Sequence, residues 1–318
     1  SNMAKLKVAV AGCGGRGRGH MQVLKQFEDV DLVAVCDPVE SARNLARDQV
    51  GIQNCYDDLE NMLDTESLDA VFVASPAHLN AQVALPCLKR GINTLLEKPP
   101  GMSVVETQNL RDVANRTGVK AMVGWDRRFH PMIVEARKQI ESYGAVTQLV
   151  GEFHKSISRL SSSNNFPELV MDNMLFETPI HSVDILRAIA NSSVAEVHSI
   201  VRRAISPYRD VHGALIYFEN GCLVHFIANY TTDRRLERYE IHGYNISAYL
   251  EGISQGTICY DGKTHEIEKG NTSSTWEQNR YFINRVKDDL PIDLPAANLD
   301  EAVKTMALVE AIKAGTRD

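Results

Sequence analysis

The sequence predicts an α/β protein of two domains. Residues 3–125 are expected to form a doubly wound Rossmann domain, and residues 126–318 an α+β domain with a mostly antiparallel sheet, which binds the substrate and forms oligomers. The final helix is a candidate to pack back on the Rossmann domain. Three observations support this prediction. Strand and helix patterns alternate up to residue 125, as in a parallel sheet covered by helices on both faces. A glycine-rich turn follows the first strand, and beyond residue 144 the strands alternate apolar and polar residues.

The stretch Lys5–Asp37 has the pattern of a strand, a tight turn, a helix and a second strand. Its turn contains Gly12-x-Gly14-x-x-Gly17, and Asp37 follows about 20 residues later. Gly12 permits the turn, Gly14 lets the backbone approach a pyrophosphate, and Gly17 lets helix and strand pack closely. The phosphates would bind at the positive N-terminus of the helix. This context predicts a dinucleotide site; the alternative is a glycine-rich turn without a ligand.

Asp37 indicates NAD as the cofactor, because its carboxylate can accept hydrogen bonds from the adenosine ribose and would repel a 2′-phosphate. Three arginines close to it in sequence, Arg16, Arg18 and Arg43, weaken this preference. NADP therefore stays a second candidate.

The remaining elements follow from periodicity and from turn residues. In the first domain, helices are predicted at 38–50, 56–63, 78–89 and 104–117, with strands at 69–74, 93–97 and 120–125. In the second, strands are predicted at 148–157, 194–204, 211–218, 222–229, 237–242, 247–251, 257–260 and 265–267. Helices are expected at 177–190, 276–289 and 299–314, and a mobile, serine-rich loop at 156–165.

Composition and charge exclude several classes of protein. A net charge of −7 without a basic tract argues against nucleic acid as a partner. The sequence shows neither a signal peptide nor an apolar run of membrane-spanning length. The six cysteines lack metal-ligand spacing, so we expect reduced core thiols, no metal and a cytoplasmic location. Ser1-Asn2 before Met3 resemble the remnant of an expression tag.

Two segments of the first domain carry residues suited to chemistry. Lys98 leaves a buried strand at its carboxyl end, the edge that faces the ligand crevice in open α/β sheets. It could hold a substrate hydroxyl, with Pro99 fixing the peptide after it; the alternative is a solvated lysine before a turn. His78, in Ser75-Pro76-Ala77-His78, could contact the cofactor or cap its helix.

Glu177, His181 and Asp184 would share one face of a helix, at positions i, i+4 and i+7. An imidazole flanked by carboxylates is a suitable general base. A metal site or an inert buried polar face are the alternatives. Arg127 and Arg128, after the last Rossmann strand, could grip a carboxylate or phosphate, or form salt bridges between the domains.

These motifs resemble the glucose–fructose oxidoreductase, inositol dehydrogenase and MocA-like (Gfo/Idh/MocA) family of NAD(P)-dependent oxidoreductases. The resemblance covers essentially the whole chain and is carried by AGCGGRGRGH, SPAHLN, EKPP, GWDRRF and ETPIHSVD. It implies that Lys98 contacts the reacting hydroxyl, that His181 accepts its proton, and that Pro76 and His78 lie beside the nicotinamide. It also implies a large open sheet whose exposed face forms homodimers or homotetramers, and substrates such as sugars and cyclitols.

Together these considerations predict the site. The catalytic residues are Lys98, His181 and Glu177. The cofactor-binding residues are Gly12, Cys13, Gly14, Gly15, Arg16, Gly17, Asp37, Ser75, Pro76, His78, Glu97 and Lys98. The substrate-binding residues are Trp125, Arg127, Arg128 and Asp184. The chain departs from the family pattern at Glu177, where many members carry Asp, and at Asp126, where Asn is common.

The predicted function is NAD(H)-dependent hydride transfer to or from a secondary hydroxyl of a sugar, cyclitol or related polyol. One alternative is NAD-dependent glycoside hydrolysis by redox elimination, which would release the leaving group of a glycoside without accumulating NADH. A second alternative is a non-catalytic, cofactor-sensing regulator, and the presence of both Lys98 and His181 argues against it.

Overall fold

The structure, a computed structural model, describes residues 4–160 and 165–318. It divides into two compact units. The first, which we call the Rossmann unit, contains the chain up to Gly124 together with Thr275–Val303. The second, the sheet unit, contains Trp125–Ser274 and Lys304–Asp318. Residues 161–164 of the serine-rich loop predicted at 156–165 lie outside the described residues, as do residues 1–3.

The Rossmann unit is built on a parallel sheet of six strands in the order β3-β2-β1-β4-β5-β6. The strands are β1 (Leu6–Ala11), β2 (Val30–Cys36), β3 (Cys55–Tyr56), β4 (Ala70–Val73), β5 (Asn93–Leu96) and β6 (Ala121–Val123). The order reverses beside β1, which is the topological switch point where doubly wound sheets bind ligands. The prediction of a doubly wound domain is confirmed.

Helices connect these strands, and their boundaries follow local signals. They are α1 (Gly15–Leu24), α2 (Glu40–Leu45) with a π-helical turn (Ala46–Val50), α3 (Leu59–Thr65), α4 (Asn80–Lys89) and α5 (Val104–Thr117). The bounds of α5 match the prediction, because Ser103 caps its first turn with a 3.2 Å hydrogen bond from the Glu106 amide. Gly118 ends the helix in the left-handed region, at φ 71°.

A segment from the C-terminal part of the chain completes the Rossmann unit. Helix α9 (Ser274–Lys287) places Phe282 edge-on against Phe72 of β4, with ring centroids 5.4 Å apart. Ala297 bridges to Val123 of β6. Residues 275–303, which the sequence analysis assigned to the second domain, are therefore part of the first unit.

The sheet unit carries an eight-stranded sheet in the order β14-β13-β12-β11-β7-β10-β9-β8. Every neighbouring pair is antiparallel except β7 with β10. The strands are β7 (Gln148–Ser156), β8 (Val194–Arg202), β9 (Val211–Phe218), β10 (Leu223–Asn229), β11 (Thr231–Gly243), β12 (Ile246–Glu251), β13 (Gln255–Tyr260) and β14 (Lys263–Glu266). The predicted mostly antiparallel sheet is confirmed.

The helices of the sheet unit differ from the prediction in two respects. They are α6 (Pro131–Ser142), α7 (Glu168–Met171), α8 (Ile180–Ala190) and α10 (Leu299–Lys313), the last of which begins in residues assigned to the Rossmann unit. Helices α6 and α7 were not predicted. Helix α8 begins at Ile180 rather than at 177, because Pro179 disfavours helical geometry at the residue before it.

One face of the eight-stranded sheet is covered and the other is open. On the covered face, Leu149, Phe153, Val224 and Phe226 are buried, and Gly151 lets Leu186 of α8 approach the sheet closely. Among residues 4–160 and 165–318, none of the helices has the length and apolar character that crossing a membrane requires.

Candidate active site

The glycine-rich turn at the end of β1 contains two glycines that no other residue could replace without a clash. Gly12 has φ 113°, and a Cβ there would lie 2.0 Å from the carbonyl oxygen of Ala74. A Cβ on Gly17 would lie 1.9 Å from the carbonyl oxygen of Gly12. By contrast, a Cβ on Gly14 or Gly15 would meet no atom within 4 Å. Gly12 and Gly17 are therefore required for close packing, whereas Gly14 and Gly15 leave the backbone open to a ligand.

The N-terminus of α1 faces this open space. Gly14 is its N-cap, and no side chain of the described residues caps it. Gly14, Gly15 and Arg16 are exposed. The first amides of α1 and the positive end of its dipole are therefore available to an anion, which fits the pyrophosphate of a dinucleotide.

Asp37 is fixed beside the turn by backbone hydrogen bonds. Its Oδ2 accepts from the amide of Cys13 at 2.8 Å, and its Oδ1 accepts from the amide of Val39 at 2.8 Å. The carboxylate is half-buried and lies at the end of β2, next to the glycine turn. Burial and then Asp37 raise the pKa of the Cys13 thiol to about 12, so Cys13 is neutral at physiological pH.

The arginines near Asp37 are engaged within the Rossmann unit. Arg43 Nη1 donates to the carbonyl oxygen of Asp37, and Arg18 Nη1 donates to that of Cys13, both at 2.8 Å. Arg16 Nε donates to Glu97 Oε1 at 2.7 Å, and its Nη1 donates to Thr275 Oγ1 at 2.7 Å. Of these three hydrogen-bonding arginines, Arg43 is the one that binds Asp37 itself, the residue expected to contact the ribose.

Glu97, at the end of β5, is buried and joined to the glycine turn. Besides Arg16 it contacts His20 Nε2 of α1 at 2.8 Å, and His20 Nδ1 in turn contacts Asn279 Nδ2 of α9 at 2.9 Å. Burial alone would raise the pKa of Glu97, but Arg16 and His20 outweigh it and hold the pKa well below its ordinary value. Glu97 is thus an anion that ties α1 to β5.

Lys98 follows directly, half-buried, and the Lys98–Pro99 peptide is cis. Its carbonyl oxygen accepts a 3.0 Å hydrogen bond from Asn80 Nδ2, and Asn80 Oδ1 accepts from the amide of Ser75 at 2.9 Å. Asn80 therefore joins the carboxyl ends of β4 and β5. The alternative role of His78 as a helix cap is wrong, because Leu79 is the N-cap of α4.

In the sheet unit, His181 lies in the first turn of α8 and is buried. Its Nδ1 is 3.8 Å from Asp126 Oδ1. Asp126 belongs to a 3-10 helix (Asp126–Phe129) that follows Trp125. Sequence reasoning missed Asp126 as a neighbour of His181. The only available signal was that the chain has Asp where the family often has Asn.

The basic pair after Trp125 forms ion pairs inside the sheet unit, not between the domains as one alternative proposed. Arg127 donates from Nε and Nη2 to Glu237 at 3.0 and 2.8 Å, and from Nη1 to Asp126 at 2.8 Å. Burial alone would lower the pKa of Arg127, but Glu237 and Asp126 outweigh it and raise the pKa. Arg128 donates to both carboxylate oxygens of Asp184 at 2.9 Å. Arg127, Arg128 and Asp184 are thus engaged in buried ion pairs, and their contacts with the substrate stay a prediction.

Glu177 lies outside the helix that carries His181, so the expected common face of Glu177, His181 and Asp184 is wrong. Its Oε2 accepts from Lys155 Nζ at 3.1 Å and from the amide of Thr178 at 2.7 Å. Among the described residues, no group of three or more His, Cys, Asp or Glu side chains is placed to hold a metal ion. Trp125 is buried, and its indole Nε1 meets no hydrogen-bond acceptor among the described residues.

This chain is similar in sequence and in fold to several known proteins. The myo-inositol 2-dehydrogenase of Thermotoga maritima is 22% identical over 299 residues, 89% of this chain and 84% of that protein. The scyllo-inositol 2-dehydrogenase (NAD(+)) of Bacillus subtilis is 24% identical over 268 residues, 82% and 75% of the two chains. A solved structure of levoglucosan dehydrogenase with NADH and levoglucosan shares the fold, with a TM-score of 0.87, 17% identity and coverage of 98% and 97%.

The family models cover both parts of the chain. Residues 6–125 match the oxidoreductase family with an NAD-binding Rossmann fold, and residues 133–249 match the GFO/IDH/MocA C-terminal domain. The first match spans the glycine turn, Asp37 and Lys98, and the second spans Glu177 and His181. The chain belongs to the GFO/IDH/MocA family of oxidoreductases, and its N-terminal domain is an NAD-binding Rossmann domain.

Proposed function

We propose that this protein is an NAD(H)-dependent dehydrogenase that oxidises or forms a secondary hydroxyl of a sugar, cyclitol or related polyol. One observation supports the proposal above all. The glycine turn, the Ser75 segment and Lys98 leave three adjacent parallel strands, β1, β4 and β5, at the same edge of the sheet. That edge is where doubly wound sheets bind their ligands.

The residues present fit a dinucleotide. The amides at Gly14 and Gly15 would hold the pyrophosphate, and Asp37 would accept hydrogen bonds from the adenosine ribose. The Asp37 carboxylate favours NAD over NADP, since it would repel a 2′-phosphate. Arg43, which binds the carbonyl oxygen of Asp37 at 2.8 Å, is the residue from which NADP binding would gain support. When bound, the nicotinamide supplies the group that accepts or returns hydride.

The chain's own residues would handle the oxygen and its proton. Lys98 is proposed to donate a hydrogen bond to the substrate oxygen and to stabilise the negative charge that develops there. His181 is proposed to accept the hydroxyl proton at Nε2 during oxidation and to return it during reduction. Glu177 stays a predicted catalytic residue, and Trp125 a predicted substrate contact whose indole N–H can donate to a hydroxyl oxygen.

The substrate class rests on relatives. The two inositol dehydrogenases above and a D-apiose dehydrogenase of Paraburkholderia graminis, 25% identical over 340 residues, are named for cyclitols and a sugar. These names support a polyol as the substrate of this chain. A screen of polyols identifies the substrate.

The experiment measures cofactor binding first and turnover second. NAD, NADH, NADP and NADPH are compared by thermal shift on the wild type and on Asp37→Ala, since a ligand of the native state raises the melting temperature by mass action. Stabilisation by NAD or NADH that Asp37→Ala abolishes is the expected result. Stronger stabilisation by the phosphorylated pair would contradict the assignment of Asp37.

Turnover is then followed as NADH formation with myo-inositol, scyllo-inositol, D-apiose and D-xylose. On the best substrate, Lys98→Ala should lower kcat by about a hundredfold or more, the loss expected for one oxyanion donor. The matched control is Lys89→Ala, an exposed lysine at the end of α4. Equal turnover in wild type and Lys98→Ala would contradict the role of Lys98.

We also propose that the open face of the eight-stranded sheet forms a homodimer or homotetramer. Large apolar side chains are exposed on it: Ile200, Leu215, Tyr217, Ile227 and Tyr249. An apolar patch of this kind marks an interaction surface. Light scattering should show an oligomer that Leu215→Glu dissociates, whereas the exposed Val105→Glu on α5 should leave it intact. A monomeric wild type would contradict the proposal.

A cytoplasmic location is proposed from the cysteines. All six are free thiols, and four of them are buried: Cys13, Cys36, Cys87 and Cys222. Proteins of oxidising compartments usually pair such residues as disulfides. Fractionation of the native host with an antibody to this chain tests the location, and recovery in an oxidising compartment would contradict it.

A further inference from the structure

We propose that Asp126 is the carboxylate that orients the imidazole of His181 and stabilises its protonated form. The inference deepens the proposed function and rests on it, because it concerns the residue assigned to accept the proton. It makes Asp126 a positioning residue, which acts on the substrate only through His181. The sequence analysis gave this task to Glu177 and Asp184, and the structure gives both of them other contacts.

The first step of the argument is distance. Asp126 Oδ1 lies 3.8 Å from His181 Nδ1, which is an ion-pair distance. Asp184, although it is on the same helix as His181, accepts both hydrogen bonds of Arg128 and a third from Thr305 Oγ1 at 2.8 Å. Glu177 is balanced by Lys155 at 3.1 Å. Asp126 is thus a carboxylate of the sheet unit that lies within ion-pair distance of the imidazole.

The second step is rigidity. Asp126 Oδ1 accepts from Arg127 Nη1 at 2.8 Å, and its Oδ2 accepts from Ser274 Oγ at 2.9 Å. Arg127 is itself held by Glu237, which also accepts from the hydroxyl of Tyr239 at 2.5 Å. A carboxylate fixed at both oxygens keeps its position when a substrate binds, which a positioning group has to do.

The third step is the balance of charge around His181. Helix α8 packs against β7 and against the Asp126–Phe129 3-10 helix. The titratable and charged groups on these elements and next to them are Glu152, His154 and Lys155 on β7, Asp126, Arg127 and Arg128 with His130 after them, Asp184 and Arg187 on α8 itself, Glu177 before it, and Glu237 and Tyr239 on β11. Most of these groups pair with one another: Glu152 with His154, Lys155 with Glu177, Arg127 with Glu237 and Arg128 with Asp184. Asp126 Oδ1 faces two groups, Arg127 Nη1 at 2.8 Å and His181 Nδ1 at 3.8 Å.

The chemical consequence follows from simple electrostatics. A negative charge near Nδ1 favours the imidazolium and favours the neutral tautomer that keeps its proton on Nδ1. The lone pair of Nε2 is then directed away from Asp126 and is available to a hydroxyl proton. A distance of 3.8 Å is longer than a hydrogen bond, and contacts of this kind commonly shorten when the substrate is bound.

The experiment measures the pKa of His181 directly and does not depend on an activity assay. Protein with ¹³C-labelled histidine is followed by NMR from pH 5 to pH 9, and the His181 signal is assigned by its absence in His181→Gln. Asp126→Asn, which keeps the shape and removes the charge, should lower the pKa of His181 by about one unit, a tenfold loss of proton affinity. Glu237→Gln is the matched control, since it removes the other carboxylate that pairs with Arg127 and should shift the pKa far less.

Two results would overturn the inference: an unchanged pKa of His181 in Asp126→Asn, or equal shifts in both variants. If Asp126→Asn does not fold, Asp126→Ala removes the same charge and is titrated in its place. A merely structural role of Asp126 would lower thermal stability in either variant without moving the titration of His181.

Steady-state kinetics with the best polyol substrate provides a second test of Asp126. In Asp126→Asn the acid limb of the pH profile of kcat/KM should move to lower pH, by the same amount as the pKa of His181 measured by NMR. The value of kcat should fall, while KM stays within about twofold of the wild type. Asp126→Glu should restore most of kcat. If His181→Gln keeps full turnover, the proposed proton transfer fails, and the NMR comparison still decides whether Asp126 controls His181. The two failures are therefore distinguishable.

Discussion

Arg128 and Asp184 meet at two points, Nε to Oδ2 and Nη2 to Oδ1, each at 2.9 Å. The pair joins the 3-10 helix that carries Asp126 to the helix that carries His181. Thr305 of α10 donates to the same carboxylate at 2.8 Å and accepts from Arg187 Nε at 3.0 Å. A buried, two-point ion pair thus fixes the spacing between Asp126 and His181.

Removing one partner of this pair should be costly. Arg128→Met leaves the Asp184 carboxylate buried without its counter-charge, and the free energy of unfolding should fall by about 3–5 kcal/mol. Denaturant unfolding measures the loss. The control is Arg159→Met, because Arg159 pairs with Asp233 at 2.7 Å while both side chains are mostly exposed. That variant should lose less than about 1 kcal/mol. Similar losses in the two variants would contradict the structural role of Arg128.

Gly12→Ala should weaken the Rossmann unit, because Gly12 has φ 113° and the new Cβ would overlap the carbonyl of Ala74. We expect a loss of about 1–3 kcal/mol in unfolding free energy and at least a tenfold loss of NADH affinity, followed by fluorescence titration. Gly19→Ala is the matched control, since Gly19 lies within α1 and a Cβ there meets no atom within 4 Å. It should bind NADH normally and gain about 0.5–1 kcal/mol.

Glu97 should make stability depend on acid pH. Its folded-state pKa lies below the ordinary value of 4.5, so its contribution is fully present above about pH 4.5 and is lost as the pH falls through the folded value. Wild-type protein should therefore lose stability between pH 5 and pH 3, as thermal melting would show.

In the variant Glu97→Gln, the free energy of unfolding should be about 2–3 kcal/mol lower at pH 7 and should depend less on acid pH than in the wild type. Glu60→Gln provides the control, because Glu60 is an exposed carboxylate that also pairs with an arginine, Arg90. A Glu97→Gln variant with the acid sensitivity of the wild type would show that this carboxylate does not carry the effect.

The thiols should differ in reactivity. Burial is the main cause that raises the pKa of Cys36 and Cys87 to about 12, so both should resist iodoacetamide at pH 8 in the native protein. Cys259, half-buried on β13, should be alkylated first. Mass spectrometry of the labelled peptides measures the order. Labelling of Cys87 as fast as Cys259 would mean that the core of the Rossmann unit opens readily.

The sequence was most informative where local signals agree. Helix α5 was predicted at its observed bounds because Ser103 and Gly118 mark its two ends. Helix α6 was missed although it carries similar signals, with Pro131 at its first position and buried residues at Met132, Ile133, Ala136 and Ile140. These apolar positions recur at the i, i+4 and i+8 spacing of an amphipathic helix, so the sequence carried the signal for α6.

The site was harder to predict, because its contacts join residues far apart in sequence. Spacing alone suggested that Glu177 and Asp184 face His181. However, the helix begins only at Ile180, after Pro179, so Glu177 lies outside it, and Asp184 is bound by Arg128. The distance between Asp126 and His181 depends on how the 3-10 helix packs against α8, and local sequence periodicity does not encode this packing. A pattern along one helix can only suggest neighbours on that helix.

The position of α9 in the Rossmann unit has a consequence for biosynthesis. Phe72 of β4 packs against Phe282, and His20 contacts Asn279. Because Phe282 and Asn279 follow residues 125–274 in the chain, they leave the ribosome only after those residues have been made. A nascent chain that ends at Gly124 would expose these surfaces. We therefore expect a fragment of the first 124 residues to be unstable or insoluble when expressed alone, and the two units to mature together rather than one after the other.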